Sequence, residues 1–316
     1  MSKIDIITAR VDNREVSFAF CAHTWDWGDY IERKWDDWLH DTQGRLLICT
    51  CDEHPTAIAR LLMVTKNDAW LEELRVDPHY RRQGQALALA KARIAEAMRR
   101  GATHIRAITA SENMAARRIF KRLHMRQAGG FVPFTASPWP ELRECNVEGE
   151  TMQLATLNDL DDIIDHFKVS PVGGFYYADF AAYVVTAELL QQQLEARQIY
   201  LFRSRGRLEG LAIAEPRQME ELGMKHMSLS VGYINGATTE AIRLLASGLS
   251  RRLLPLGLEA IFVYASDLAL VRNALTGINY RWSGHVFSTY ERELSSVSSQ
   301  QNLIKGAKDI FCSNIK

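Results

Sequence analysis

The sequence predicts an α/β (α+β) protein made of two similar units, and three observations carry that expectation. Residues 71–125 run in the order strand, basic glycine-interrupted loop, helix, strand, helix. A similar order returns from Met152 onward. Between the two, Ala136-Ser137-Pro138-Trp139-Pro140 and then Gly149 break the periodic pattern as a linker does. A chain of 316 residues is long for one such unit and natural for two. The expected division is a first domain over 1–137, a linker over 138–150, a second domain over 151–294 and a flexible tail over 295–316, where Ser295–Ser299 leads into Gln300 and Gln301.

Taken in order, the first half reads as a strand near Ile4–Ala9, helical segments through Asn13–His40, and strands near Leu46–Cys51 and Ala57–Thr65. Trp70–Val76 has the apolar and branched content of a strand, with Glu72 and Glu73 inside it, and Pro78 ends it. Leu87, Ala90, Ile94, Ala97 and Met98 recur at helical spacing, with Gly101 as the stop. His104–Ala110 is a strand, and Ser111 or Asn113 caps a second helix running through Phe120. Phe131–Phe134 is expected to close the first sheet. In the second half, the same reasoning gives helices over Leu160–Lys168, Ala187–Ala196, Thr238–Leu254 and Leu268–Leu275. Its strands fall near Met152–Thr156, Ile199–Arg203, Leu208–Ala214, Met227–Ile234, Glu259–Ala265 and Tyr280–Arg292. Placing Ala110-Ser111 on Ala265-Ser266 superposes the two orders, which marks a divergent repeat.

The loop Arg81-Arg82-Gln83-Gly84-Gln85-Ala86 carries the first chemistry. Gly84 and the small Ala86 let backbone approach a ligand, and the helix starting there leaves its first N–H groups without intrahelical partners. Helix polarity and two arginines both favour negative charge, so a diphosphate suits the position better than a metal or a neutral sugar. An ordinary strand-to-helix turn with solvated arginines would share this loop, and the flanking segments decide between the two.

Those segments resemble the coenzyme-binding core of the GCN5-related N-acetyltransferase (GNAT) superfamily. The family's loop, Arg or Gln, two residues, Gly, one residue, then Gly or Ala, is met by Arg81, Gly84 and Ala86. Its preceding Val-x-Pro is met by Val76 and Pro78, and its later Asn-x-x-Ala by Asn113 and Ala116. The resemblance implies two GNAT-like units, each a mixed, mostly antiparallel central sheet flanked by helices. It implies acetyl-CoA as cofactor, held by Leu74, Arg75, Val76, Arg81, Arg82, Gln83, Gly84, Gln85, Ala86, Asn113, Ala116 and Phe120. Two positions depart from the family. The tyrosine that usually protonates the departing thiolate is Phe120, which has no proton to give, and the usual Gly before an aromatic residue is His124-Met125.

An attacking amine must be neutral, so a base is useful, and Glu73 and Glu72 are the candidates, with Glu73 favoured. Regular strand alternation would point them to opposite faces. The Val76 N–H is the expected donor to the developing oxyanion. In the second half the turn Tyr233-Ile234-Asn235-Gly236-Ala237-Thr238 has no basic residue, and Leu268 and Leu275 stand where Asn113 and Phe120 do. That half is expected to bind no coenzyme, and to pack on the first half, complete the acceptor pocket, form an oligomer contact or serve structure alone.

Four of the seven tryptophans fall within Thr24–Trp38 among acidic residues. Trp25, Trp27 and Asp29 are the acceptor-binding candidates, since aromatic faces and carboxylates suit a cationic amine. Trp35 and Trp38, three apart on a helix, read as core anchors. The run Asp29-Tyr30…Trp35…Trp38-Leu39 is loosely similar to vertebrate histidine N-acetyltransferase-like proteins. A small amine or free amino acid is the leading acceptor, with a protein or peptide amino group, or coenzyme binding without transfer, as the alternatives.

Composition excludes other classes. With 38 basic and 38 acidic residues, nothing in the charge calls for nucleic acid. No apolar stretch is long enough to span a membrane, and Met1-Ser2-Lys3-Ile4-Asp5 meets charge at once, so a cytoplasmic protein, monomer or homodimer, is expected. Five cysteines without metal spacing suit free thiols, and no histidine has ligand spacing, so no metal site is expected.

Overall fold

The computed structural model describes residues 3–22, 24, 29–137, 150–170, 174–221, 224–253 and 256–294, which group into two compact units. Residues 3–108, 113–127 and 290–294 make the first, and 109–112 with 128–289 the second. The expected tail, and all of the expected linker except Glu150, lie outside the described residues.

The first unit contains β1 (Ile4–Thr8), α1 (Arg14–Cys21), α2 (Ile31–His40), β2 (Gly44–Cys51), β3 (His54–Met63), β4 (Asp68–Val76), α3 (Gln85–Arg99), β5 (His104–Ala110), α4 (Met114–Arg122) and the start of β6 (Arg126–Ala136). β1 to β4 are antiparallel neighbours in sequence order, and β5 joins β4 in parallel.

Alternation along the strands sends side chains to two helical layers. Leu46 and Ile48 of β2 and Ile58 of β3 pack under Ile31, Trp35 and Trp38 of α2. Leu47 and Cys49, with Ala57 and Ala59, face Leu89 of α3 on the other side. Trp35 is fully buried, its ring edge-on to Phe18 at 5.4 Å, so both of the tryptophans expected to be anchors are core residues. Trp35→Ala should cost about 3–5 kcal/mol of stability, read as a lowered urea midpoint at unchanged m value.

The second unit contains the rest of β6, then β7 (Glu150–Leu154), α5 (Leu160–Val169), β8 (Phe175–Ala178), β9 (Ala181–Val184), α6 (Ala187–Glu195), β10 (Ile199–Ser204), β11 (Arg207–Glu221), β12 (Met224–Gly236), α7 (Thr239–Leu253), β13 (Ala260–Ser266), α8 (Ala269–Thr276), β14 (Arg281–Trp282) and the start of β15 (Phe287–Glu293). Its main sheet has the order β6-β13-β12-β11-β10-β7, with β14 on β6 and only the β12–β13 step parallel. Each unit is therefore a mixed, mostly antiparallel sheet flanked by helices. The repeat is visible in the elements: α3 and α7 both have 15 residues, and β5 and β13 both have 7.

Two departures from the sequence reading concern which strands pair. Phe131–Phe134 does not close the first sheet; Phe131 faces Ser266 and Phe134 faces Val263, on β13 of the second unit. The first sheet is instead extended beyond β5 by the chain's last strand, whose residues 290–293 belong to that unit. There, Leu294 N–H donates to the Thr103 carbonyl at 2.7 Å and Arg106 reaches Glu291. An apolar alternating segment specifies a strand but not its neighbour, so the partner is a long-range choice. The sequence reading also missed the two-stranded hairpin β8–β9.

Candidate active site

The site is built around a break in the β3–β4 ladder. Arg60 faces Glu72, but the next pair is Ile58 with Arg75, so β4 carries one more residue than β3 across that step. The extra residue is taken up at Glu73, whose φ is +58°. Such a bulge interrupts alternation, and its effect on the carboxylates is direct. Glu72 binds the Arg60 guanidinium, which lies over the Trp38 ring of α2 and also holds Asp41. Glu73 accepts from the Tyr30 hydroxyl, just ahead of α2, and lies 3.4 Å from Arg75 Nη2. Both glutamates thus turn toward the α1–α2 layer, which corrects the expectation of opposite faces.

Beyond the bulge, Arg75 Nε donates to Asp29 Oδ2 at 2.8 Å, while Asp29 Oδ1 accepts from the Ile31 N–H at 3.2 Å at the start of α2. Asp29 therefore stands beside Glu73, with its carboxylate engaged by Arg75. Cys21, buried at the end of α1, completes the surroundings; burial, with Asp29, pushes its thiol up to about 12, so it is no nucleophile. Trp25 and Trp27 lie outside the described residues.

Electrostatics here are dominated by desolvation. Burial raises the Glu72 carboxyl to about 7; Arg60 opposes the rise and the neighbouring Glu73 adds to it. Burial likewise raises Glu73, against the pull of Arg75 and the Tyr30 hydrogen bond. The Tyr30 hydroxyl is pushed well above its ordinary range by burial and by Glu73, so it stays protonated and donates. Carboxylates whose proton affinity is raised by burial, to about 7 at Glu72, have the property a general base needs.

The other half of the site is the start of α3. Gly84 occupies the cap position with φ +90°, no side chain caps the helix, and the first intrahelical bond runs from Ala88 N–H to the Gly84 carbonyl. The N–H groups of Gln85, Ala86 and Leu87 are therefore left for another acceptor. By contrast, α4, α6 and α7 are capped by Asn113, Thr186 and Thr238. A Cβ built on Gly84 meets nothing within 4 Å, so the space in front of the turn is open. Gln85 is 1% exposed, and neither polar atom of its amide has a partner among the described residues. Arg81, Arg82 and Gln83 are exposed around this opening, with Arg81 Nε 3.3 Å from the Val76 carbonyl.

β4 and β5 pair in parallel only from Asp68–His104 to Trp70–Arg106, so Leu71–Val76 runs past the end of that pairing. Leu74 and Val76 pack toward the α3 side. On α4, Asn113 Oδ1 accepts from Ala116 N–H at 3.1 Å, so both act in the cap. Phe120 is buried with its ring 4.9 Å from that of Tyr290, whose hydroxyl accepts from Arg117 Nε.

Arg60, Tyr30 and Arg93 were not singled out in the sequence. Tyr30 is 43 residues from the glutamate it holds, and only the tertiary structure joins them. Arg93 had a readable signal, because it falls among Leu89, Ala90, Ile94 and Ala97 on the buried face of α3.

The second unit keeps the scaffold and loses these features. β12 also has a register slip, with Ile213 facing Tyr233 and Ala214 facing Val231, so Gly232 stands where β4 has Glu73. A Cβ there would come within 2.2 Å of the Tyr176 ring and 2.3 Å of the Tyr177 carbonyl, because the β8–β9 hairpin lies on the bulge.

Residues 14–125 match the model of the Acetyltransferase (GNAT) family, a span that holds the bulge, the open helix start and α4. None of the curated protein sequences matches this chain. Among solved structures, it is similar to a GCN5-related N-acetyltransferase from Sphaerobacter thermophilus, with a TM-score of 0.55, 12% identity, and 92% of this chain and 95% of that one covered. It is also similar to a tandem GNAT protein from the clavulanic acid biosynthesis pathway, with a TM-score of 0.52, 10% identity, and 94% and 100% covered. The chain carries a GNAT-family acetyltransferase domain. Beyond residues 14–125, the likeness to these solved structures is one of fold.

Proposed function

We propose that the protein is an acetyl-CoA-dependent N-acetyltransferase that moves an acetyl group to the primary amine of a small molecule or amino acid by direct attack. The observation that supports this most is the Glu72–Glu73 bulge, a half-buried carboxylate pair of raised proton affinity at the open end of β4. Bound acetyl-CoA supplies the activated acyl group.

Gly84, Gln85 and Ala86 would present backbone N–H groups to its diphosphate, with Arg81 and Arg82 adding positive charge and Gln83 at the rim. The Gln85 amide would gain a partner it lacks within the described residues. Leu74, Arg75 and Val76 would line the arm of the coenzyme, and the Val76 N–H would face the acyl oxygen as charge develops there. Asn113 and Ala116 set the start of α4, which brings the Phe120 ring against the thioester. Phe120 has no proton to donate, so that position would supply no general acid to the departing thiol, whose ordinary pKa of about 8.5 makes it a tolerable leaving group without one.

Glu73 takes the proton of the attacking amine through water, oriented by the Tyr30 hydroxyl, and Glu72 is the second carboxylate of the pair. Asp29, beside Glu73 through their shared partner Arg75, would face the amine, where its negative charge favours a cation; Trp25 and Trp27 remain the aromatic candidates from sequence. The second unit binds no coenzyme; the hairpin on its bulge and the Thr238 cap support this. Cys21, Cys49 and Cys51 are free thiols, in keeping with a cytoplasmic setting.

The test is thiol release from acetyl-CoA by the purified protein with a panel of amines, amino acids and peptides. Turnover with small amines and not with peptides is the expected result. Turnover with peptides alone would replace the acceptor reading with a protein substrate, and coenzyme binding without turnover across a broad panel would overturn it.

A further inference from the structure

Arg93 is 3% exposed on the inward face of α3, beside Leu89, Ala90 and Ile94, which are fully buried. Helical periodicity asks for an apolar side chain there, and a buried guanidinium is tolerated only when its donors are met. Arg93 Nη1 meets two acceptors, the Glu72 carbonyl at 2.8 Å and the Arg60 carbonyl at 3.2 Å, while its buried Nε has no partner among the described residues. These belong to the last paired residues before the register slips. A bulge disrupts the ladder locally, and the Arg93 donor tethers both strands at the point of disruption.

We propose that Arg93 is a positioning residue for the acceptor-side carboxylates: its guanidinium clamps the bulge that turns Glu72 and Glu73 to one side, and its charge stands behind them. This rests on the reading of that pair as the proton acceptor. The helix that opens at Gly84 thus carries the clamp about two turns further on, so one rigid element sets both the coenzyme loop and the base.

Several charged or titratable groups face the pair besides Arg93. They are Arg60 on β3, Arg75 on β4, Asp29 and Tyr30 ahead of α2, Asp41 after it, and Cys21 at the end of α1. Burial lowers Arg93 to about 10, opposed by Glu72 and Glu73, so it remains a cation at neutral pH. Its charge in turn lowers the proton affinity of Glu72. Removing that charge therefore makes the carboxylate harder to ionise and moves its titration upward.

The experiment compares Arg93→Met and Arg93→Lys with Glu73→Gln and Glu72→Gln, using the amine that turns over best in the panel. Melting curves check folding and calorimetry gives the acetyl-CoA affinity. The pH profile of kcat and the 13C titration of the Glu72 carboxyl read the pair. Arg93→Met is expected to lower kcat at pH 7 about tenfold or more and to raise both the acid limb and the Glu72 midpoint by about one pH unit. Acetyl-CoA affinity should stay within about twofold, a change small beside tenfold per 1.4 kcal/mol. Arg93→Lys keeps the charge and should restore the midpoint, while kcat stays below wild type because an ammonium lacks the planar fork.

The proposal is overturned if the glutamine variants lose activity while Arg93→Met keeps the wild-type kcat and Glu72 midpoint. Should Arg93→Met fail to fold, Arg93→Lys decides: a reduced kcat supports the clamp, and a wild-type kcat overturns it. If both glutamine variants keep the wild-type rate, the base reading itself falls, and this inference with it.

Discussion

Replacing Gly84 with aspartate is expected to abolish acetyl-CoA binding, a loss of at least about a hundredfold in affinity. The backbone term is modest: a φ of +90° disfavours a side chain, by about 1–2 kcal/mol for an L residue in that region. The charge term is larger, since two like charges 4 Å apart near a protein surface repel by about 4 kcal/mol. An aspartate side chain would extend into the open space in front of three unpartnered N–H groups, where the diphosphate belongs. Gly84→Asn separates the two effects, because it has nearly the same shape without the charge and tolerates the left-handed conformation. Titration calorimetry should show a small loss for the asparagine variant and no measurable binding for the aspartate one. Wild-type affinity in Gly84→Asp would remove the helix start as the coenzyme site.

Glu73→Gln should lower kcat by about a hundredfold, the lower range for a general base, with little change in the KM for acetyl-CoA. In the wild type the base must be ionised to act, and burial has raised both carboxyls. Activity should therefore fall at a pH above the ordinary carboxylate range near ~4.3, as the raised pair takes up protons. The sign in the variant follows from the same contacts. Loss of the Glu73 charge removes a contribution that raises Glu72, so the residual limb should move to lower pH. A Glu73→Gln enzyme with the wild-type rate and limb would assign the proton to another group.

The open helix start at Gly84 was legible in sequence because its ingredients are local. A proline to stop the strand, a glycine at the turn, arginines beside it and an apolar period behind it all fall within Pro78–Met98, and each acts on its immediate neighbours. The α2 anchors Trp35 and Trp38 were legible for the same reason. The carboxylates were found by type but not by direction. Glu72-Glu73-Leu74 reads as regular alternation, and the φ of +58° at Glu73 exists only because β3 pairs with one residue fewer. Arg60, Tyr30 and Arg93 act on that bulge from 12, 43 and 21 residues away. No window of sequence contains them together.

Taken alone, the chain's order of residues determined two repeated α/β units, most of their elements though not the β8–β9 hairpin, and a helix start behind Gly84 that no side chain caps. These follow from period, capping and turn chemistry, which act over a few residues. Tertiary structure decided what depends on strand partners. It sent Phe131–Phe134 to β13, brought the last strand beside β5 and slipped the β4 register so that two glutamates face the α1–α2 layer. An apolar alternating segment can pair with several strands equally well, and only the packing of the whole sheet selects among them.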